Sequence, residues 1–218
     1  NKALERSKVM AHEVETMAYA GEVPWHGLGN KVTSDMTPNQ MLVEAGLDWT
    51  VSKRPAYTVS KPNVWNIVNP TGEAEFLRCE DNHFIVRDSD NKVLSACGEN
   101  YIPFQNEEVL DFFKKFTEAG KMKMETAGSL KAGKDKLEKS FKLGTNDEVE
   151  GYLLLNNSHQ VGKAMTIMFT PIRVVCNNTL TMALNTTNNN RFRIPHLQMF
   201  DEEIINTAEE ALGISGKQ

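Results

Sequence analysis

The chain has 218 residues, of which 40% are hydrophobic and 24% charged, with a formal net charge of −5. That length and apolar content suit one domain with a real core, no run approaches the roughly 20 apolar residues of a membrane span, and the net acidity weighs against a generic nucleic-acid binder. Cys79, Cys97 and Cys176 are odd in number and lack CxxC spacing, which excludes a disulfide framework or a zinc knuckle and points to a reducing compartment.

Residues 1–9 are polar and charged and are expected to be a flexible arm or a remnant left by cloning, with Met10 as a natural start. From Met17 to Gly29 the chain is dense in glycine, proline and aromatics and reads as an ordered loop. Within it, either Trp25 plugs the core while His26 bonds a backbone group, or one of the two rings lines a site where a flat ring stacks on a base. Thr37 and Pro38 predict a helix over 37–45, capped by Thr37 and ended by Gly46. Residues Trp49–Ser60 alternate as a strand interrupted at Pro55, with further short strands expected at Asn63–Val68 and Glu75–Leu77. His83–Arg87 and Lys92–Ala96 flank Asp88-Ser89-Asp90-Asn91 and predict a hairpin; that turn lacks the glycine and the distant glutamate of a calcium loop.

The clearest helix is Asn106 to about Ala119, with Asn106 as its cap, Glu107 and Glu108 at its positive end and Val109, Phe112, Phe113 and Phe116 toward the core. Lys121–Glu125 alternates as a strand, and Gly128–Gly144 reads as a β-ribbon or a mobile basic loop. Between Lys114 and Lys142 nine lysines face four acidic residues, so the chain is bipolar in charge. Tyr152–Leu155 and Ala164–Phe169 read as buried strands, with Asn156-Asn157-Ser158-His159 as the polar turn of a hairpin. A third apolar run, Ile172–Cys176, reads as a strand that enters an Asn-Asn-Thr turn. A polar loop, Asn185–Asn190, precedes Arg191-Phe192-Arg193, and an acidic amphipathic helix is predicted over about Phe200–Leu212. The whole predicts an α+β fold, a mostly antiparallel sheet with a few packed helices, in a single domain over 10–200 followed by a C-terminal helix and tail over 201–218.

Several of these stretches, in order, resemble one family. Ala18-Tyr19-Ala20-Gly21-Glu22-Val23-Pro24-Trp25-His26-Gly27-Leu28-Gly29 is similar to the opening signature of the phage/plasmid-like proteins, domain-of-unknown-function family 932. Tyr101-Ile102-Pro103-Phe104-Gln105-Asn106, Thr126-Ala127-Gly128-Ser129-Leu130, Tyr152 to His159 and Thr170 to Leu180 match it further along. The resemblance spans Met10 to about Leu212. It departs at Lys134–Lys142, charged where the family has an apolar strand, and family members often run on past this chain's end. It implies a phage, prophage or plasmid setting in the cytoplasm of a bacterial host, and by analogy a role near replication and recombination.

Residue chemistry offers three functions. Between Gly151 and Phe200 there is no Asp or Glu, while Lys163, Arg173, Arg191 and Arg193 are present. Such a surface suits an anion, and the first expectation is single-stranded DNA binding or annealing by a homo-oligomer. Lys163, Arg173, Arg191 and Arg193 would hold phosphates, Asn156, Asn157 and Asn177 would bond to backbone or sugar, and Trp25 and Phe192 would stack. The second is a cysteine-dependent enzyme with Cys176 as nucleophile and His26, His159 and Asn178 as partners. The third is a self-assembling phage structural protein. No HxxxH or glycine-rich phosphate loop appears, so neither a metal nor a cofactor is expected.

Overall fold

A computed structural model describes residues 13–59, 76–118, 122–130, 136–143, 151–185 and 191–212. The expected arm at 1–9, the strand at Asn63–Val68 and the loop at 186–190 lie outside the described residues. Among these residues ten strands and four helices follow one another as β1 (Val14–Tyr19), β2 (Asn30–Lys31), α1 (Pro38–Glu44), β3 (Val51–Val59), β4 (Phe76–Arg87), β5 (Lys92–Gly98), α2 (Asn106–Glu118), β6 (Met122–Leu130), β7 (Lys136–Leu143), β8 (Tyr152–Ser158), β9 (Met165–Thr170), α3 (Asn177–Asn185), β10 (Arg191–Ile194) and α4 (Glu202–Leu212). The strands form a seven-stranded sheet in the order β10-β9-β8-β7-β6-β1-β2 and a three-stranded sheet β3-β4-β5. Only the short β1–β2 pair among the described pairings is parallel. The fold is α+β, as expected.

The large sheet is buried on both faces. Successive residues of β8 point to opposite sides: Leu153 and Leu155 join Met165 and Ile167 under α1, α2 and α4, whereas Leu154 joins Met168 under Val174–Cys176 and α3. Trp49, Val51, Ile85, Leu94, Cys97 and Tyr101 make a third cluster on the small sheet. Arg87 ties the two sheets together. Its guanidinium lies 2.8 Å from Asp90 and 3.3 Å from Glu15 of β1, and 5.3 Å from the Trp49 ring centroid.

Local sequence accounts for the helix ends. Thr37 accepts from the Gln40 N–H while Gln40 Oε1 accepts from the Thr37 N–H at 2.9 Å, a reciprocal cap. At α2 the expected cap is corrected. Gln105 takes that position, with its carbonyl accepting from Val109 N–H and its N–H donating to Glu108 at 3.0 Å. Asn106 instead turns inward and donates to the carbonyls of Leu47 and Trp49. Asp201 caps α4 by accepting from Ile204 N–H. Helix α4 buries Ala208 and Leu212 in the same cluster as Phe112 and Phe113, so it belongs to the core.

Four other expectations change. Residues 17–19, read as the start of a loop, belong to strand β1. Asn156, Asn157 and Ser158 are not a turn but the end of β8, and the hairpin closes at 160–163, where Lys163 N–H donates to Gln160 O. The stretch Ile172–Cys176 has no strand partner. The Asn-Asn-Thr turn is the first turn of α3, where Thr179 Oγ1 accepts from both Val175 and Cys176 N–H groups at 3.0 Å. For the basic stretch 128–144 the β-ribbon alternative is met: residues 136–143 form β7, a central strand antiparallel to β6. Arg191-Phe192-Arg193 form the edge strand β10.

Candidate nucleic-acid interface

Residues 171–176 leave β9 and run without ladder partners, so side chains must satisfy their backbone. Thr126, His26, Thr170 and Thr179 do, while Arg173 reaches out of the segment to brace it. Arg173 Nε stands 2.7 Å from Glu125 Oε1, and its Nη2 donates to Ala20 O at 2.8 Å. Thr126 hydroxyl donates to Val174 O at 2.9 Å. His26 Nδ1 accepts from Leu28 N–H, which leaves Nε2 as the protonated nitrogen that donates to Val175 O at 2.8 Å. Two glycines let β1 sit close beneath this segment. A Cβ on Gly128 would lie 2.7 Å from Thr16 O, and one on Gly29, at φ +101°, 2.9 Å from Met17 O. Arg173 is therefore occupied by Glu125 and Ala20 rather than offered to a phosphate.

A second junction is polar and buried. Asn157 Nδ2 donates to Phe104 O at 3.1 Å. His159 is fully buried with its ring 5.5 Å from that of Trp49. Burial, and then the neighbouring His196, hold the His159 imidazole down at a pKa of about 3. His196 stacks on Tyr101 and Phe104, at 4.9 and 4.4 Å between centroids. Burial lowers its pKa as well, against the opposing pull of the Ile102 and Ser158 backbone. Asn156, Asn157 and His159 face the interior, so they do not line a DNA groove. Among the described residues Asn156 Oδ1, Asn157 Oδ1 and both ring nitrogens of His159 find no hydrogen-bond partner.

The pieces of the expected cysteine site are engaged in different places. Cys176 is fully buried, with Sγ 3.5 Å from Thr179 Oγ1. His159 belongs to the other junction, His26 has both ring nitrogens on backbone groups, and Asn178 is exposed on α3. Among the described residues no cluster of three or more His, Cys, Asp or Glu side chains is arranged to hold a metal, and no described helix is long and apolar enough to cross a membrane.

The remaining candidates reach solvent. Arg191 and Arg193 alternate on edge strand β10, opposite Met168 and Thr166 of β9, and both are exposed. Arg191 Nη2 donates to Leu184 O at 2.9 Å and so meets the negative end of α3. Phe192, between them, is half-buried against the core, which removes its ring as a free stacking face. Lys163 is exposed in the β8–β9 turn, at the end of β9 where Thr166 pairs with Arg193 of β10. Asn177 is half-buried at the start of α3. Trp25 is 65% exposed, edge-on to His26 at 5.3 Å, so it does not plug the core, whereas His26 does bond backbone groups. Sequence reasoning missed Glu125, Thr126 and Thr179 as bracing residues; Thr179 alone carried a local signal, a hydroxyl three residues after Cys176. A separate cleft of about 480 Å³ has Asp35, Glu118, Lys114 and Lys123 among its lining, a charge mixture without preference for an anion.

A family model described as "Domain of unknown function (DUF932)" matches residues 93–218, which takes in the motifs at 101–106, 126–130, 152–159 and 170–180. No curated protein and no solved structure matches the chain.

Proposed function

This chain belongs to the DUF932 family, and from that premise we propose that it is a single-stranded DNA-binding protein of a phage or plasmid, working in the host cytoplasm and assembling on the strand in a way that serves annealing. The observation that supports this reading is the exposed basic margin formed by Lys163, Arg191 and Arg193, set in a stretch, residues 151–200, without a single Asp or Glu. Annealing breaks no bond. It requires a surface that neutralises phosphates and leaves base edges free to pair, and cations on a sheet margin beside uncharged side chains meet that need.

The test is binding of a labelled oligonucleotide across a salt series, single strand against duplex, with the mass of the protein followed in the same samples. Tight, salt-sensitive binding to single strands with assembly on DNA is the expected result. Each phosphate neutralised on a single strand contributes roughly 0.7 to the slope of log K against log salt. The Lys163→Ala/Arg193→Ala double variant should therefore lose about 1.4 of that slope. Absence of binding at low salt overturns the reading.

A further inference from the structure

Trp25 and Arg191 mark the two ends of α3. Val175, whose carbonyl holds His26, lies two residues before the helix begins, and the Trp25 ring packs edge-on against that same imidazole. Arg191 sits on the Leu184 carbonyl at the other end. Between them α3 exposes Asn178, Thr181, Met182 and Asn185, all uncharged. Nine helical residues extend about 13 Å, close to four phosphate spacings of one B-form strand.

The loop that carries Trp25 is braced rather than slack. Pro24 is buried, Gly27 N–H donates to Pro24 O at 2.9 Å, and the two imidazole bonds of His26 pin the loop to residues 28 and 175. A tryptophan gains by burial, yet this loop holds the indole outward. Glu22, also exposed, is the loop's one acid, and the described residues of α3 and β10 are all neutral or basic.

We propose that Trp25 is the stacking platform for an unpaired base at the α3 end of the DNA path, and that it is what selects single strands over duplex. The proposal rests on the DNA-binding reading above and adds the residue that sets its specificity. A base in a duplex has both faces covered by its neighbours and cannot stack on the indole; a base in a single strand can. The phosphates are held at the other end, by Arg191, Arg193 and Lys163, so stacking and charge act at separate places and separate observables report them.

The experiment compares wild type, Trp25→Ala, Trp25→Phe and Lys163→Ala/Arg193→Ala by anisotropy of labelled single-stranded and duplex oligonucleotides over a salt series, with protein mass and thermal melting recorded alongside. Trp25→Ala should weaken single-strand binding by about 5- to 150-fold. It should leave duplex binding and the salt slope unchanged at temperatures where the melting curve shows the variant folded, and Trp25→Phe should recover part of the loss. The double variant should do the reverse, flattening the slope on both kinds of DNA. Unaltered single-strand affinity in Trp25→Ala, while wild type binds with a salt-sensitive constant, overturns the stacking proposal alone. Equal losses on single strand and duplex overturn it too, as does a loss confined to self-assembly, which would make the loop a protein contact. Absence of wild-type binding removes both the proposal and the reading beneath it.

Discussion

Arg173 and Arg193 lie in the same acid-free stretch, yet the fold treats them in opposite ways. Arg173 is turned inward at the braced segment 171–176, where Glu125 and Ala20 engage its guanidinium. Arg193 stands on an edge strand with its charge in solvent. The difference extends to their surroundings. The braced segment gathers residues from the motifs at 18–29, 126–130 and 170–180, and the motifs at 101–106 and 152–159 meet in the second junction around Asn157 and Phe104. Lys163, Arg191 and Arg193 lie outside all of these motifs. In this chain these motifs carry architecture, whereas charge available to a ligand lies on the sheet margin and the β8–β9 turn.

That contrast is broken most strongly from the inside. Arg173→Ala should cost about 3 kcal/mol, because it leaves the largely buried Glu125 carboxylate without its cation. Chemical denaturation should show this as a lower midpoint with the same m-value, while DNA affinity per folded molecule stays as it was. A loss of affinity without a loss of stability would return Arg173 to the binding surface. Gly128→Ala comes next, at about 2 kcal/mol, since the added methyl meets Thr16 O at 2.7 Å and the two strands must part.

The parts of the fold that were legible share one property: their signal is local. Thr37, Pro38 and Gly46 announce α1 within ten residues, and Asp88–Asn91 announces the β4–β5 turn between two alternating runs. The parts that were not legible depend on partners far along the chain. Asn156-Asn157-Ser158 has the composition of a turn. It stays in β8 because Asn157 finds Phe104 O and the strand pairs on both sides. Helix α3 opens without an acidic first turn or a conventional cap residue, because Cys176 occupies the cap and Thr179 reaches back to it. The same holds for the site. The acid-free run pointed to Lys163, Arg191 and Arg193 from composition alone. That Arg173 would meet Glu125, and that Phe192 would pack into the core, depended on pairings composition does not encode.

The buried junction can be sharpened by pH. His159 is held near a pKa of about 3, against an ordinary value near 6.5. Between those values the unfolded chain takes up a proton that the folded chain refuses. Stability is therefore complete above about pH 6.5 and falls as pH drops toward 3, by up to about 1.4 kcal/mol per pH unit for one proton. His196, lowered by the same burial, adds in the same direction. His159→Gln should flatten the slope of stability against pH over this window by about one proton, read from urea unfolding at pH 7, 6, 5 and 4.5. An unchanged slope would mean that His159 is not the group that resists protonation.

The smallest expected effect on folding belongs to the margin, and it is the most telling. Lys163 and Arg193 are exposed, and neither is engaged in an ion pair among the described residues, so replacing both with alanine should move stability by no more than about 0.5 kcal/mol. A charged edge strand also discourages pairing with a second sheet, so these residues have a structural use that would explain them without DNA. The two uses separate cleanly. If the charges only guard the edge, the double variant should self-associate or aggregate and keep whatever DNA affinity the wild type has. If they neutralise phosphates, it should stay soluble and lose about 1.4 from the salt slope. Measuring association and salt slope on the same variant decides between a protected edge and a binding surface, and with it whether this margin differs from the braced interior in function or only in exposure.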